Sequence, residues 1–359
     1  MKVAHLCGSA DSRIGGSLAV ARALVEKQVE RGIDARLIYL YACPADFAVA
    51  NSPRIPSLSL DVDRSQRYTQ GVRALREAIR TIGPDVIHHH DNLAWPRFAT
   101  PGMGVPIVTH AHSEAPQGWR ARMVQRLAVR GTARVIAVSD WTATSWKEAG
   151  VPAAKISVLP NGVDCERFRP RSPEARRAKR AALGLAADAR VLLWAGRLQR
   201  TRKGLDRILR VGGSLPPGWT CIVAGDGTDR DWLQSQIDGL PNGDQFRMLG
   251  NVADPEEWFG SSDAFLFTST VEPFGLVVLE AAASGLRILG FRCEGGAMRL
   301  LEEMKAKMVD EYDGDRMRNA FFDIASAKPD DESRRIVQER YSWDRVADKT
   351  IAIYRELVG

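Results

Sequence analysis

The sequence predicts an α/β protein built from two Rossmann-like domains, each a doubly wound parallel sheet. Three observations carry this expectation. Short β-rich apolar runs alternate with longer helical patterns, the runs fall into two successive series, and 359 residues exceed the length over which one hydrophobic core keeps growing. The first series places strands near 3 to 7, 35 to 41, 85 to 91, 106 to 112, 134 to 139 and 156 to 160, with helical patterns such as Ser17 to Arg31 between most of them. The second begins at Arg190-Val191-Leu192-Leu193-Trp194-Ala195 and continues near 220 to 225, 245 to 250, 263 to 270 and 287 to 292. Between them lie the turn signal Asn161-Gly162-Val163-Asp164 and the linker-like stretch from Arg167 to Pro173, so domains are expected over 1–165 and 166–342. The helical pattern Trp343 to Val358 follows both series, and its spacing alone lets it return to either domain. Two such sheets facing a central cleft would bind ligands at the carboxyl ends of their strands.

Composition narrows the function. Hydrophobic residues make up 45% of the chain and charged ones 26%, and no stretch approaches eighteen consecutive apolar residues, so no membrane span is expected. Met1-Lys2-Val3-Ala4-His5-Leu6 runs directly into an apolar strand without a secretory leader pattern, which points to the cytoplasm. Cys7, Cys43, Cys165, Cys221 and Cys293 are scattered, with no Cys-x-x-Cys spacing of a zinc or redox site. The net charge of +6 is uneven: residues 1–165 hold 20 Lys+Arg against 14 Asp+Glu, whereas 166–359 hold 30 of each. Five arginines and no acid lie between Glu114 and Asp140, a local basic field on an otherwise balanced chain. No nucleic-acid partner is expected.

Several constellations suit a phosphorylated sugar ligand. Gly15-Gly16 directly precedes a helical pattern, where glycines let backbone N–H groups approach an anion, although a plain turn reads the same way. Strand 190 to 195 ends in Gly196-Arg197, and Lys203-Gly204 follows just before a helix. A guanidinium fork and an ammonium at one sheet edge suit a diphosphate leaving group whose charge grows as a carbon–oxygen bond breaks. Most specific is the run from Ala264 to Glu280. There an apolar strand ends, a loop carries Glu272-Pro273-Phe274, Gly275 opens a helix at Leu276, and Glu280 lies in its first turns. Helix N–H groups would meet an anion while two carboxylates accept hydrogen bonds from vicinal hydroxyls.

These residues resemble the family 4 glycosyltransferases, retaining enzymes of the GT-B fold. The match includes the Glu-x7-Glu signature as Glu272 and Glu280, Gly196-Arg197 with Lys203-Gly204, Asn161-Gly162-Val163-Asp164, Ser139-x-Trp141 and Gly15-Gly16. It extends over roughly 1 to 285 and the Ser342-Trp343 helix, which in the family crosses back to complete the N-terminal, acceptor-binding domain. The resemblance implies that Glu280 holds the ribose and that Glu272 with the backbone of Phe274, Gly275 and Leu276 holds the donor sugar. It gives the diphosphate to Arg197, Lys203 and Gly16, beside Gly15. It also implies a nucleotide-sugar donor, with uridine preferred because it is commoner than guanosine in the family. After Gly285 the pattern departs: Leu286-Arg287-Ile288 stands where a proline is usual, and the motif is hard to trace up to Arg340.

All six histidines lie in the first 112 residues. His88-His89-His90-Asp91 and His110-Ala111-His112 end neighbouring expected strands, and a metal site is one reading. Alternation allows only some of His88, His89 and His90 to converge on an ion, and carboxylate partners at metal spacing are not evident, so no metal is expected. The family places a histidine near the donor sugar, best matched here by His112, with His110 as the fallback. Gly118 to Arg130 reads as a basic amphipathic helix with Arg122, Arg126 and Arg130 in one stripe, an apolar arc of Met123, Val124, Leu127 and Ala128, and Trp119 at the edge. Either the arc packs on the sheet, or the helix meets an anionic membrane or a lipid-linked acceptor.

The expected reaction is transfer of a sugar from a nucleotide sugar to a glycan, lipid-linked or small-molecule acceptor with retention. His112 and Glu272 would orient the donor, and the neutralised diphosphate would accept the acceptor's proton without a metal cofactor. A sugar-nucleotide epimerase of the same fold and an inactive membrane-surface protein are the competing readings. Asp61-Val62-Asp63 offers a metal-dependent transferase of another fold, which the two-sheet order opposes.

Overall fold

The structure is a computed structural model, and it describes the chain except residues 12–14, 45–47, 49–51, 91–95, 97–98, 101, 187, 213, 310–318, 322 and 325–328 and the side chains of 121, 122 and 128. The chain divides into two compact units, Met1–Gly162 with Trp343–Gly359, and Val163–Ser342.

The first unit contains a seven-stranded parallel sheet of β1 (Lys2–Ser9), β2 (Asp34–Tyr41), β3 (Ser57–Val62), β4 (Val86–His89), β5 (Ile107–Ala111), β6 (Thr132–Ala137) and β7 (Ile156–Val158), in the order β3-β2-β1-β4-β5-β6-β7. β4 and β5 are buried along their whole length and β1 from Val3 onward, as sheets with both faces covered require. Winding reverses between β1 and β4, whose register pairs Val3 with Val86 and His5 with His88. Open α/β sheets bind ligands beyond the carboxyl ends of the strands at such a reversal.

The second unit repeats the plan with β8 (Arg190–Ala195), β9 (Trp219–Ala224), β10 (Phe246–Gly250), β11 (Ala264–Phe267), β12 (Arg287–Phe291) and β13 (Lys307–Val309), in the order β10-β9-β8-β11-β12-β13. The reversal here falls between β8 and β11, which puts the Gly196-Arg197 turn beside the end of the strand leading to Glu272.

Two strands fall outside the expected series, β3 and β13, and both are edge strands. β3 is mostly exposed and β13 has three residues, so neither shows a buried apolar run. β3 also disposes of the Asp61-Val62-Asp63 reading. Asp61 has a positive φ of 48° and accepts the Ser59 hydroxyl at 2.6 Å, while Asp63 caps the following turn at the Ser65 N–H, 2.7 Å away. Both carboxylates serve local turns.

The helix Trp343–Val358 packs on the helix Gly16–Glu30, with Arg31 bonded to Asp344 at 2.9 Å and Asp348 at 2.6 Å. The crossover leaves the first unit at Gly162, where a β-carbon would lie 2.8 Å from the Trp343 ring. Val163 instead pairs with Ser342 and donates its N–H to the Tyr341 carbonyl at 2.8 Å, so the division falls at 162/163. The departure at Leu286-Arg287-Ile288 directly follows a helix end. Gly285, at φ 72°, ends the helix Leu276–Ala283 in a Schellman turn in which the Leu286 N–H bonds the Ala281 carbonyl at 3.0 Å, a bond that proline lacks the donor to make.

Candidate active site

In the second unit, the loops after β8, β9 and β11 are locked together at one sheet edge. A β-carbon at Gly225 would lie 1.8 Å from the Gly196 carbonyl oxygen, so only glycine lets these two loops touch. The short helix Arg200–Lys203 ends at Gly204, with φ 61°. Its Lys203 carbonyl accepts the Thr268 hydroxyl at 2.6 Å, and Thr268 in turn accepts the Trp194 indole N–H at 2.8 Å. The backbone of Lys203 is thereby fixed to the end of β11.

This anchoring delivers the Lys203 ammonium to Glu272, with Nζ 2.5 Å from Oε2; the Ser269 hydroxyl donates to the same oxygen at 3.2 Å. The side chains are 27% and 13% exposed, so the pair is largely desolvated. Glu272 sits in a clamped loop: its N–H bonds the Glu294 carbonyl at 2.8 Å, and its own carbonyl accepts from Ala297 at 3.2 Å. Immediately after it, Phe274 is buried and Gly275, at φ 93°, turns the chain into the helix Leu276–Ala283. The leading N–H groups of that helix have no intrahelical partners and carry the positive end of its dipole.

Glu280 lies one turn into the helix, half-buried, with no hydrogen-bond partner for its carboxylate among the described residues. Burial pushes its carboxyl up to about 7, the Arg167 cation opposing and the Glu256 charge adding. Arg167 and Glu256 themselves pair at 2.8 Å. Arg197 is exposed at the end of β8. The structure therefore gathers Arg197, Lys203, Glu272, Phe274, Gly275, Leu276 and Glu280 on three successive segments of one unit. Sequence reading named these residues but missed the Lys203–Glu272 ion pair and the Ser269 and Arg167 contacts. The signal lay in strand order, because β8 and β11 become neighbours only when winding reverses between them.

In the first unit, Gly15 (φ 87°) caps the helix Gly16–Glu30, and both glycines are exposed. His112 follows β5, half-buried and stacked on His110 with centroids 4.2 Å apart, and its Nε2 lies 3.3 Å from His90 Nδ1. Burial holds its imidazolium down to about 3, so the ring is neutral near pH 7. His88 and His90 share a face with His5, His110 and His112, while strand alternation turns His89 to the other.

The basic helix spans Trp119–Ala128 and departs from the reading in which its apolar arc packs on the sheet. Trp119, Met123, Val124 and Leu127 are exposed, at 69%, 54%, 44% and 46%, the side chain of Ala128 lies outside the described residues, and among the described side chains Gln125 and Val129 are buried. Within the expected arginine stripe, Arg126 is exposed and tied to the neighbouring helix through one nitrogen. The Arg126 Nε donates to the Ala149 carbonyl at 3.0 Å, satisfying a carbonyl at the end of the helix Asp140–Glu148, a position that favours a cation. Arg130 is exposed, and the side chain of Arg122 lies outside the described residues.

Comparison with known proteins decides the family. The family described as Glycosyltransferase Family 4 matches residues 14–167, and that described as Glycosyl transferases group 1 matches residues 175–341. A D-inositol 3-phosphate glycosyltransferase of Saccharomonospora viridis is 31% identical over 330 residues, covering 81% of this chain and 74% of the relative. The chain belongs to the family 4 glycosyltransferases. A second relative in this family, the D-inositol 3-phosphate glycosyltransferase of Xylanimonas cellulosilytica, is 28% identical over 333 residues, covering 80% of this chain and 76% of that one. Among solved structures, Anabaena HepE in complex with UDP and glucose superposes with a TM-score of 0.84 at 21% identity, covering 98% of this chain and 99% of HepE. Sucrose-phosphate synthase from Thermosynechococcus elongatus gives 0.83 at 20% identity, covering 99% of each chain. Both fix the fold as two Rossmann-like domains of the GT-B class. As a family 4 glycosyltransferase, the protein is a glycosyl-transferring enzyme.

Proposed function

We propose that the protein transfers a sugar from a UDP-sugar to an acceptor hydroxyl with retention of configuration, and that no divalent metal is required. The observation that carries this reading is the half-buried Lys203–Glu272 pair beside the N-terminus of the helix Leu276–Ala283. Lys203, Arg197 and the helix N–H groups are the electrophilic partners of the diphosphate, supplying the charge a metal would otherwise bring. Glu272 keeps a carboxylate where positive charge develops on the sugar, and Glu280 accepts from the ribose hydroxyls. The assignments of Gly16 to the diphosphate and His112 to the donor sugar rest on the family resemblance.

As the bond from the anomeric carbon to the diphosphate breaks, its electron pair leaves with the phosphate oxygen. The acceptor oxygen bonds the same face of the sugar and passes its proton to that phosphate. UDP is favoured because Anabaena HepE is solved with UDP and with UDP-glucose. The relatives named for D-inositol 3-phosphate make a polyol phosphate the first acceptor to assay.

A lipid-linked acceptor at an anionic membrane is favoured by the exposed Trp119, Met123, Val124 and Leu127, flanked by Arg120 and Arg130. No helix among the described residues is long and apolar enough to cross a membrane.

Calorimetric titration with UDP, GDP and ADP, followed by NMR of the product formed with and without chelator, tests the reading. Binding selective for UDP, a retained anomer and undiminished activity in chelator are expected. An inverted product, or activity restored only by manganese, overturns it.

A further inference from the structure

Five imidazoles pack on one face of the first unit's sheet: His5 from β1, His88 and His90 from and just after β4, His110 from β5, and His112 just after it. Neighbouring ring centroids stand 4.2–5.5 Å apart. His5, His88, His90 and His110 are at most 1% exposed.

Two trios, His5, His88 and His90, and His90, His110 and His112, bring ligand atoms within 4.8 Å of one another, but as hydrogen-bonded and stacked rings. His5 Nδ1 and His90 Nε2 approach to 2.8 Å, a direct N–H···N hydrogen bond. A tetrahedral ion at ordinary zinc–nitrogen distances spaces its ligands roughly 3.3 Å apart. His110 and His112 stack with planes 13° apart at 4.2 Å, so their in-plane lone pairs run side by side instead of meeting on a point between the rings.

The contacts form a directed series instead. Burial disfavours the charged form of every ring in it, so each carries one N–H and one lone pair. The Gln28 carbonyl oxygen lies 2.9 Å from His5 Nε2, which assigns the proton to that nitrogen. His5 Nδ1 then accepts from His90 Nε2, and His90 Nδ1, 3.3 Å from His112 Nε2, accepts from His112. What remains at the half-buried outer end is the lone pair on His112 Nδ1. This polarity requires the Gln28 amide N–H to donate to the Tyr354 hydroxyl, 3.4 Å away, and that hydroxyl to donate to His88 Nδ1, 2.5 Å away. A flipped amide would reverse every bond and turn His112 into a donor.

We propose that Gln28, held by Tyr354 and acting through His5 and His90, is a positioning residue that fixes His112 as its Nε2–H tautomer and so presents Nδ1 as a hydrogen-bond acceptor to a hydroxyl of the donor sugar. The last clause rests on the reading that His112 meets that sugar.

The tautomers are read from the ring-nitrogen shifts of protein labelled with 15N-histidine. In the native enzyme, His5, His90 and His112 are expected as Nε2–H. Gln28→Met removes the acceptor while keeping the length of the side chain, and is expected to give mixed His112 tautomers and a roughly three- to tenfold loss of donor kcat/KM, with UDP affinity unchanged. Gln28→Glu retains an acceptor oxygen and is expected to restore the single tautomer, which keeps the test available should the methionine variant fold poorly. A native His112 protonated at Nδ1, or a His112 tautomer indifferent to both substitutions, overturns the proposal. Failure of the underlying reading shows differently, as a His112→Ala enzyme with unaltered donor kcat/KM.

Discussion

Replacing Glu280 with glutamine separates what the site contributes to binding from what it costs in stability. Burial raises the Glu280 carboxyl from 4.5 in the unfolded chain to about 7 in the folded one. The folded state therefore holds the proton more tightly, and ionising it disfavours folding. This destabilisation is absent below about pH 4.5, grows as pH rises, and is complete above about pH 7. A shift of this size is worth at most about 3 kcal/mol, at about 1.4 kcal/mol per unit, and solvent reaching the half-buried carboxylate lowers it. Glu280→Gln keeps the shape and removes the titration. At pH 8 the variant should be the more stable by up to about 3 kcal/mol, and at pH 4 the difference should vanish. For a unit of this size that corresponds to about 2–4 °C in Tm per kcal/mol. Urea unfolding of native and variant protein from pH 4 to 8 measures it, and UDP titration in parallel should show weaker binding. A pH-independent difference, or a variant less stable at pH 8, would refute the burial argument.

Lys203→Ala should weaken nucleoside diphosphate binding at least about tenfold and also destabilise the second unit by about 1–3 kcal/mol, because it strands a Glu272 carboxylate that is 13% exposed. Adding Glu272→Gln should recover stability but not affinity, a pattern that calorimetry and denaturation together resolve. Gly225→Ala would bring a β-carbon within 1.8 Å of the Gly196 carbonyl and should cost more than about 2 kcal/mol or abolish soluble expression, read by thermal unfolding. Trp119→Ala with Arg130→Gln should reduce sedimentation with anionic vesicles, most at low salt, and leave turnover of a soluble acceptor unchanged; unaltered sedimentation would remove this helix from any membrane contact.

The sequence showed most where burial is symmetric. Strands such as Val191 to Ala195 and Ala264 to Phe267 are covered on both faces and read as unbroken apolar runs. The edge strands β3 and β13 carry no such imprint. Site residues were legible where glycine turns punctuate strand ends, as at Gly196, Gly204 and Gly275. Their pairings were not, since the contact between Lys203 and Glu272 joins residues 69 apart through strand order. The Trp119 helix was left with two readings for a related reason. Periodicity reveals an apolar arc but not which side the neighbouring structure covers, and here Gln125 and Val129 took the inside.

The return of the helix Trp343–Val358 to the first unit gives the chain an unusual order of completion. The 180 residues of Val163–Ser342 are contiguous, so that unit has all its parts as soon as it has left the ribosome. The first unit is begun earlier yet lacks the helix Trp343–Val358 until that segment has been made. At ordinary elongation rates the wait is on the order of ten to forty seconds. During it the surface of the helix Gly16–Glu30 that receives Trp343–Val358 is uncovered, and Gln28 and His88 have no Tyr354 hydroxyl to bond. Of the two units, the one begun first is thus the one left incomplete longer, and a truncation just before Trp343 would leave the second unit whole while breaking the first.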